Sequence, residues 1–131
     1  MNSKEYTKQS ARTCAPLDSA LSRIDLHITA LLHVSAGLTT EAAEFTDGLK
    51  KHIFYGKTLD EVNLMEELGD LLWYVSYGCR MLNTTMEEVM ERNINKLMIR
   101  YPEKFTEDRA ENRNLKAERG QLEEAVWIGE L

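Results

Sequence analysis

Apolar residues recur along this chain at helical spacing rather than in alternation, and the pattern falls into five segments. The first, about Ser3 to Thr13, stops ahead of Pro16, whose ring disfavours a helical residue before it. The second starts at Asp18 or Ser19, either able to cap free backbone N–H groups. It carries Leu21, Ile24, Ile28, Leu31, Leu32, Leu38, Ala42 and Phe45 toward Phe54, with an irregularity expected at Gly37. Thr58 followed by Glu61 has the spacing of a capping box and opens a third helix near Leu59. That helix runs to about Leu82 with Leu64, Met65, Leu68, Leu71, Leu72, Val75, Cys79 and Leu82 as a core stripe. Thr84 with Glu87 repeats the capping pattern, and Pro102 closes a fourth helix over about Thr85 to Arg100. A last helix, Thr106 to about Glu124, is mostly charged, with Leu115 and Leu122 as its strong apolar points. Such a helix is marginal alone and needs a surface to lean on, either in this chain or in a partner subunit.

This pattern predicts an all-α protein with a four-helix-bundle-like core and an additional C-terminal helix, residues 1–131 forming a single domain. Composition agrees, since only two prolines and seven glycines leave long uninterrupted stretches for helices. A hydrophobic share of 43% beside 29% charged residues is enough to form a core. No apolar run approaches the ~20 residues of a membrane span. The N-terminus lacks an apolar leader, so no membrane partner and a cytoplasmic address are expected. A net charge of −6 argues against a nucleic-acid partner, whose backbone is bound by clustered Lys and Arg. Cys14 and Cys79 lack zinc-type spacing and read as inert thiols.

The chemistry lies in the acids. Glu41 and Glu44 stand three residues apart on the second segment, and Glu67 and Asp70 stand three apart on the third. At about 100° per residue each pair shares a helix face, and two such helices side by side would gather four carboxylates. Their mutual repulsion calls for a shared cation. The all-oxygen set suits Mg²⁺, with Mn²⁺ as a substitute, because zinc sites recruit His or Cys and di-iron bundles need Glu-x-x-His. Mg²⁺ is commonly completed by water and substrate phosphates, which makes a polyphosphate the missing ligand. Gly37 and Gly48, four residues before Glu41 and four after Glu44, remove bulk beside the acids, either for substrate or for close helix packing. Asn63, Tyr74 and Tyr77 share the face of Glu67. The plain alternative is that both acid pairs are solvated helix surface.

The stretches GLTTEAAEF and EELGDLLWY, followed by KLMIRYPEKF in that order, resemble the MazG-like branch of the all-α nucleoside triphosphate pyrophosphohydrolases. The resemblance extends from YTKQSART near the N-terminus to AENRNLKAERGQLEE near the end. It implies hydrolysis of an NTP or dNTP to the monophosphate and pyrophosphate, with Mg²⁺ on Glu41, Glu44, Glu67 and Asp70 as both metal-binding and catalytic carboxylates. It also implies a homodimer or homotetramer in which neighbouring helices complete the pocket. Glu41 or Glu44 would accept the proton of the attacking water, and Glu66 is either a supporting group or a hydrated charge.

The family's NxxKLxxRYP stretch makes Asn93, Lys96 and Arg100 candidates for phosphate or sugar binding, against the alternative of a solvated basic strip. Tyr74, one turn beyond Asp70, could donate to a phosphate oxygen, and Lys50 and Lys51 could balance phosphate charge. His33 lies two turns before Glu41 on its side, and Trp73 could stack on a base. Close rivals are hydrolysis of phosphoribosyl-ATP, or of dUTP or dCTP specifically. From a different class comes a non-catalytic helical module whose acidic faces keep an oligomer soluble. A di-metal oxidase bundle lacks its histidines.

Overall fold

The computed structural model describes residues 1–124, with side chains through residue 123. The described residues form helices α1 (Ser3–Ala11), α2 (Leu17–Leu21), α3 (Leu26–Tyr55), α4 (Glu61–Met81), α5 (Met86–Arg100), α6 (Glu107–Glu111) and α7 (Leu115–Glu124), with no strand among them. The all-α class is therefore as the periodicity indicates. None of these helices is long and apolar enough to cross a membrane.

Local polar side chains move several of the expected boundaries. The second segment does not run unbroken from Asp18. It stops after Leu21, because Asp25 accepts the Ile28 N–H at 2.8 Å and starts a new helix there. From that cap α3 continues for 30 residues, about 45 Å at 1.5 Å per residue, straight through Gly37 without the expected irregularity. It ends on Gly56 at φ +62°, where the N–H groups of Gly56 and Lys57 converge on the Lys51 carbonyl. The cap of α4 is Asp60, which accepts from Asn63 N–H at 3.0 Å, rather than Thr58. At the start of α5 the cap sits one residue later than expected: Thr85 accepts from Glu88 N–H at 3.1 Å, and the Glu88 carboxylate accepts from the Thr84 hydroxyl. The C-terminal segment divides into α6 and α7, since Asn112 donates to Asp108 at 2.8 Å and Asn114 caps Ala117 N–H at 3.1 Å.

Helices α3 and α4, joined by a short turn, pack along each other as an antiparallel hairpin, and α7 packs on α5. The hairpin's register is set by three glycines. A Cβ on Gly78 would meet Val34 Cγ1 at 3.2 Å, on Gly37 the Tyr74 ring, and on Gly48 Leu64 Cδ2 at 3.0 Å. As the α3 index rises through 34, 37 and 48, the α4 partner falls through 78, 74 and 64. The same register sets Glu41 level with Asp70 and Glu44 level with Glu67.

The chain's own core is thin. Val34 at 8% and Cys79 at 6% relative exposure are its buried large or sulfur-bearing apolar side chains among the described residues. The expected α4 core stripe is only partly covered, with Met65, Leu68, Leu72 and Leu82 facing out. On α3 and α5, Leu32, Met90, Ile94 and Met98 are also exposed. The accessible surface is 11241 Å² for 15.1 kDa. A compact monomer of that mass would present about 7,100 Å².

Candidate metal centre

Three of the four expected carboxylates meet where the register predicts. Glu41 from α3 and Glu67 and Asp70 from α4 each offer an oxygen, and these lie within 4.8 Å of one another. Two opposite ligands of a Mg²⁺ ion at ~2.1 Å are about 4.2 Å apart, so small side-chain rotations would let one ion touch all three. Glu67 is only 6% exposed, and Asn63 Nδ2 donates to its Oε1 at 2.6 Å. None of the ion pairs among the described residues involves Glu41, Glu44, Glu67 or Asp70. A buried carboxylate beside two others and without a cationic partner is costly, and a bound cation removes that cost. The hard oxygen donors fit a divalent ion of the Mg²⁺ or Mn²⁺ type.

Glu44 stands apart from this trio. It is exposed one turn along α3, where it borders an open depression of about 650 Å³ with Ala42, Ala43, Thr46, Asp47 and Lys50. Glu66 is exposed and also outside the trio. Thr40 Oγ1 lies 3.2 Å from Glu41 Oε1 and 3.0 Å from the Gly37 carbonyl, which restrains the acid from its own helix. Thr40 escaped the sequence reading because nothing in its spacing sets it apart from other surface threonines.

The remaining candidates are dispersed. Tyr74 lies across Gly37, so that glycine makes room for a tyrosine and leaves no gap for substrate. The imidazole of exposed His33 meets Tyr74 and Tyr77 edge-on at ring-centre distances of 5.8 and 5.7 Å, and Trp73 stands edge-on to Tyr74 at 4.9 Å. Lys51 pairs with Asp47 at 2.8 Å, and Lys50 pairs with the same carboxylate. Together they hold the Asp47 carboxyl down at about 2, Lys50 contributing most. Lys96 donates to Asn93 Oδ1 at 2.8 Å on the exposed side of α5.

Arg100 does not share that strip's exposure. It turns inward, Nε and Nη2 reaching Glu118 of α7 at 2.9 and 2.5 Å, while Arg113 adds Nη2 at 2.7 Å. Glu118 is 3% exposed and its carboxyl is held down to about 2, by Arg100 first and Arg113 second. Its sequence context, LKAERGQLEE, is a run of charges in which no position stands out, so only the packing singles it out.

The profile of the MazG nucleotide pyrophosphohydrolase domain matches residues 30–105, more than half of the chain and all four acids. The chain belongs to the MazG family. The MazG domain thus begins near the start of α3 and extends past α5, while Glu118 lies beyond it. A relative, the Gene 37 protein of Mycobacterium phage L5, is 32% identical over 93 residues, 66% of this chain and 79% of its own length. No solved structure matches the sequence. The domain assigns nucleotide pyrophosphohydrolase chemistry, a hydrolysis of phosphoric anhydrides, to this fold, and the acidic trio is its candidate divalent-cation site.

Proposed function

We propose that the chain is a Mg²⁺-dependent enzyme that hydrolyses nucleoside triphosphates, ribo or deoxy, to the monophosphate and pyrophosphate. The observation that carries this reading is the trio of Glu41, Glu67 and Asp70, one of them buried, without a cationic partner inside a MazG domain. In the reaction a water oxygen bonds to the α-phosphorus, the bond between the α-phosphorus and the oxygen that bridges it to the β-phosphorus breaks, and pyrophosphate leaves with that oxygen and the bonding electrons. The bound cation supplies charge neutralisation on the phosphates and a more acidic water. Glu41, Glu67 and Asp70 hold that cation, Asn63 fixes the Glu67 carboxylate, and Glu44, outside the trio, accepts the proton of the water. Lys96 and Asn93 are the remaining phosphate- or sugar-binding candidates on α5, whereas Arg100 is committed to Glu118.

We further propose that residues 1–131 act as one domain within a homodimer or homotetramer. This is supported by the exposed apolar side chains of α3, α4 and α5 and by a surface far above that of a compact monomer.

A panel of common NTPs and dNTPs with Mg²⁺, together with phosphoribosyl-ATP, read as pyrophosphate and monophosphate, tests the reaction and ranks substrates. Turnover of dUTP or dCTP alone would narrow the specificity. Absence of magnesium-dependent pyrophosphate release from every substrate would leave a non-catalytic helical module.

A further inference from the structure

A second concavity lies where α5, α6 and α7 meet. It encloses about 210 Å³ and is bordered by Arg100, Arg109, Arg113, Asn112, Asn114 and Glu118. It has no residue in common with the acidic trio. Its wall holds three guanidinium groups against one carboxylate, a surplus of two positive charges.

The donors are unevenly used. Arg100 and Arg113 both turn their Nε and Nη2 edges to Glu118, which leaves the Nη1 hydrogens of Arg113 without a partner among the described residues. Arg109 makes only a 3.5 Å contact, from Nη1 to the Arg100 carbonyl. Asn112 gives an amide hydrogen to Asp108, while Asn114 uses its oxygen to cap α7 and its Nδ2 has no acceptor among the described residues. The N-terminal turn of α7, a ten-residue helix, adds its positive end.

Like charges crowded around one carboxylate repel, and a second anion lowers that repulsion. The guanidinium fork matches the geometry of a tetrahedral oxyanion better than that of a single halide. A volume of about 210 Å³ is below the ~300–1,000 Å³ typical of pockets for whole organic ligands, so the occupant is a small group.

We propose that this concavity is a metal-independent oxyanion site of the phosphate class, held by Arg109 and Arg113 with Asn114. Its occupant is inorganic phosphate, pyrophosphate or the phosphoryl end of a nucleotide. Calorimetric titration of the full chain in EDTA tests this, with phosphate, pyrophosphate, a nucleoside monophosphate and a nucleoside triphosphate as separate probes. Saturable binding of at least one probe is expected in the millimolar range or tighter. Arg109→Gln, which leaves Glu118 and both its partners in place, should weaken it at least about tenfold, and Arg109→Lys should weaken it less. Competition by the nucleotide probes identifies a nucleotide phosphoryl group as occupant, and binding of the inorganic probes alone identifies a free anion. The Asp70→Asn protein should bind as the wild type does. EDTA strips cations from the acidic trio, so failure of the hydrolytic reading would leave this result intact. No saturable binding of any probe, binding undiminished in Arg109→Gln, or binding lost in Asp70→Asn overturns the proposal.

Discussion

Tyr74 occupies the space that a side chain on Gly37 would need: a Cβ there would lie 2.1 Å from the tyrosine Cε1. The close approach of α3 and α4 at this level, one turn from Glu41 and one from Asp70, depends on that missing atom. Gly37→Ala should therefore destabilise by about 1–3 kcal/mol, the usual cost of overpacking, despite alanine's better helix propensity. At Gly48 the neighbour is the flexible end of Leu64, at 3.0 Å, and Gly48→Ala should be much closer to neutral. Urea denaturation of both variants checks the ranking.

The acidic trio gives a paired prediction. Glu67→Gln and Asp70→Asn should each reduce magnesium-dependent pyrophosphate release by at least about 100-fold, and Asn63→Ala should weaken metal affinity about 10–100-fold. The same carboxylate variants should keep or raise their melting temperature in EDTA, because each removes one of three crowded negative charges. A carboxylate paired with Lys or Arg would instead lose stability when neutralised. Activity and melting temperature measured with and without Mg²⁺ distinguish the two, and wild-type behaviour in both would remove the metal assignment.

The Glu118 pair makes stability depend on acid. Its carboxyl is held at about 2 in the folded chain against an ordinary value of 4.5. The unfolded chain therefore takes up the proton first, and the pair's stabilising effect is full above about pH 4.5 and lost as pH falls toward 2. Asp47, held at about 2 by Lys50 and Lys51, titrates in the same direction from its ordinary 3.8. Glu118→Gln should be less stable at pH 7 and should show a shallower loss of stability between pH 5 and about pH 2. Thermal melts across that range measure the difference.

Light scattering at micromolar concentration should give at least a dimer. Exposed Leu32, Met65, Leu68 and Leu72 on the α3–α4 hairpin offer more apolar surface than a lone chain of this size usually leaves in water. A 15.1 kDa monomer with full activity would contradict it.

Lys96→Ala should lower turnover or raise KM with the helical circular dichroism unchanged, since the hydrogen bond of Lys96 among the described residues goes to Asn93 on its own helix. Arg100→Ala should instead lower the melting temperature, because it strips a partner from the buried Glu118 and loosens α7. Wild-type kinetics in Lys96→Ala would mean that the strip is simply hydrated.

The main helices were legible because their signals are local. Periodic apolar residues place α4 and the end of α3 within a few residues, and the two acid pairs are written at helical spacing on them. Boundaries failed where competing caps stood close together, as with Asp25 against Asp18, or Asp60 against Thr58. Each of these residues can accept the same kind of bond, and geometry chooses among them.

By itself the sequence determined the all-helical class and which acids could share a face, because each rests on neighbours within a few turns of one helix, and the MazG resemblance, because its stretches are read in order along the chain. The tertiary structure alone decided that Glu41, Glu67 and Asp70 converge while Glu44 stays outside. It also filled Gly37 with Tyr74 and turned Arg100 away from solvent to Glu118. These relationships join residues far apart in the chain. They depend on the register of antiparallel helices and on which side chain reaches a buried carboxylate, and neither follows from the spacing within any one helix.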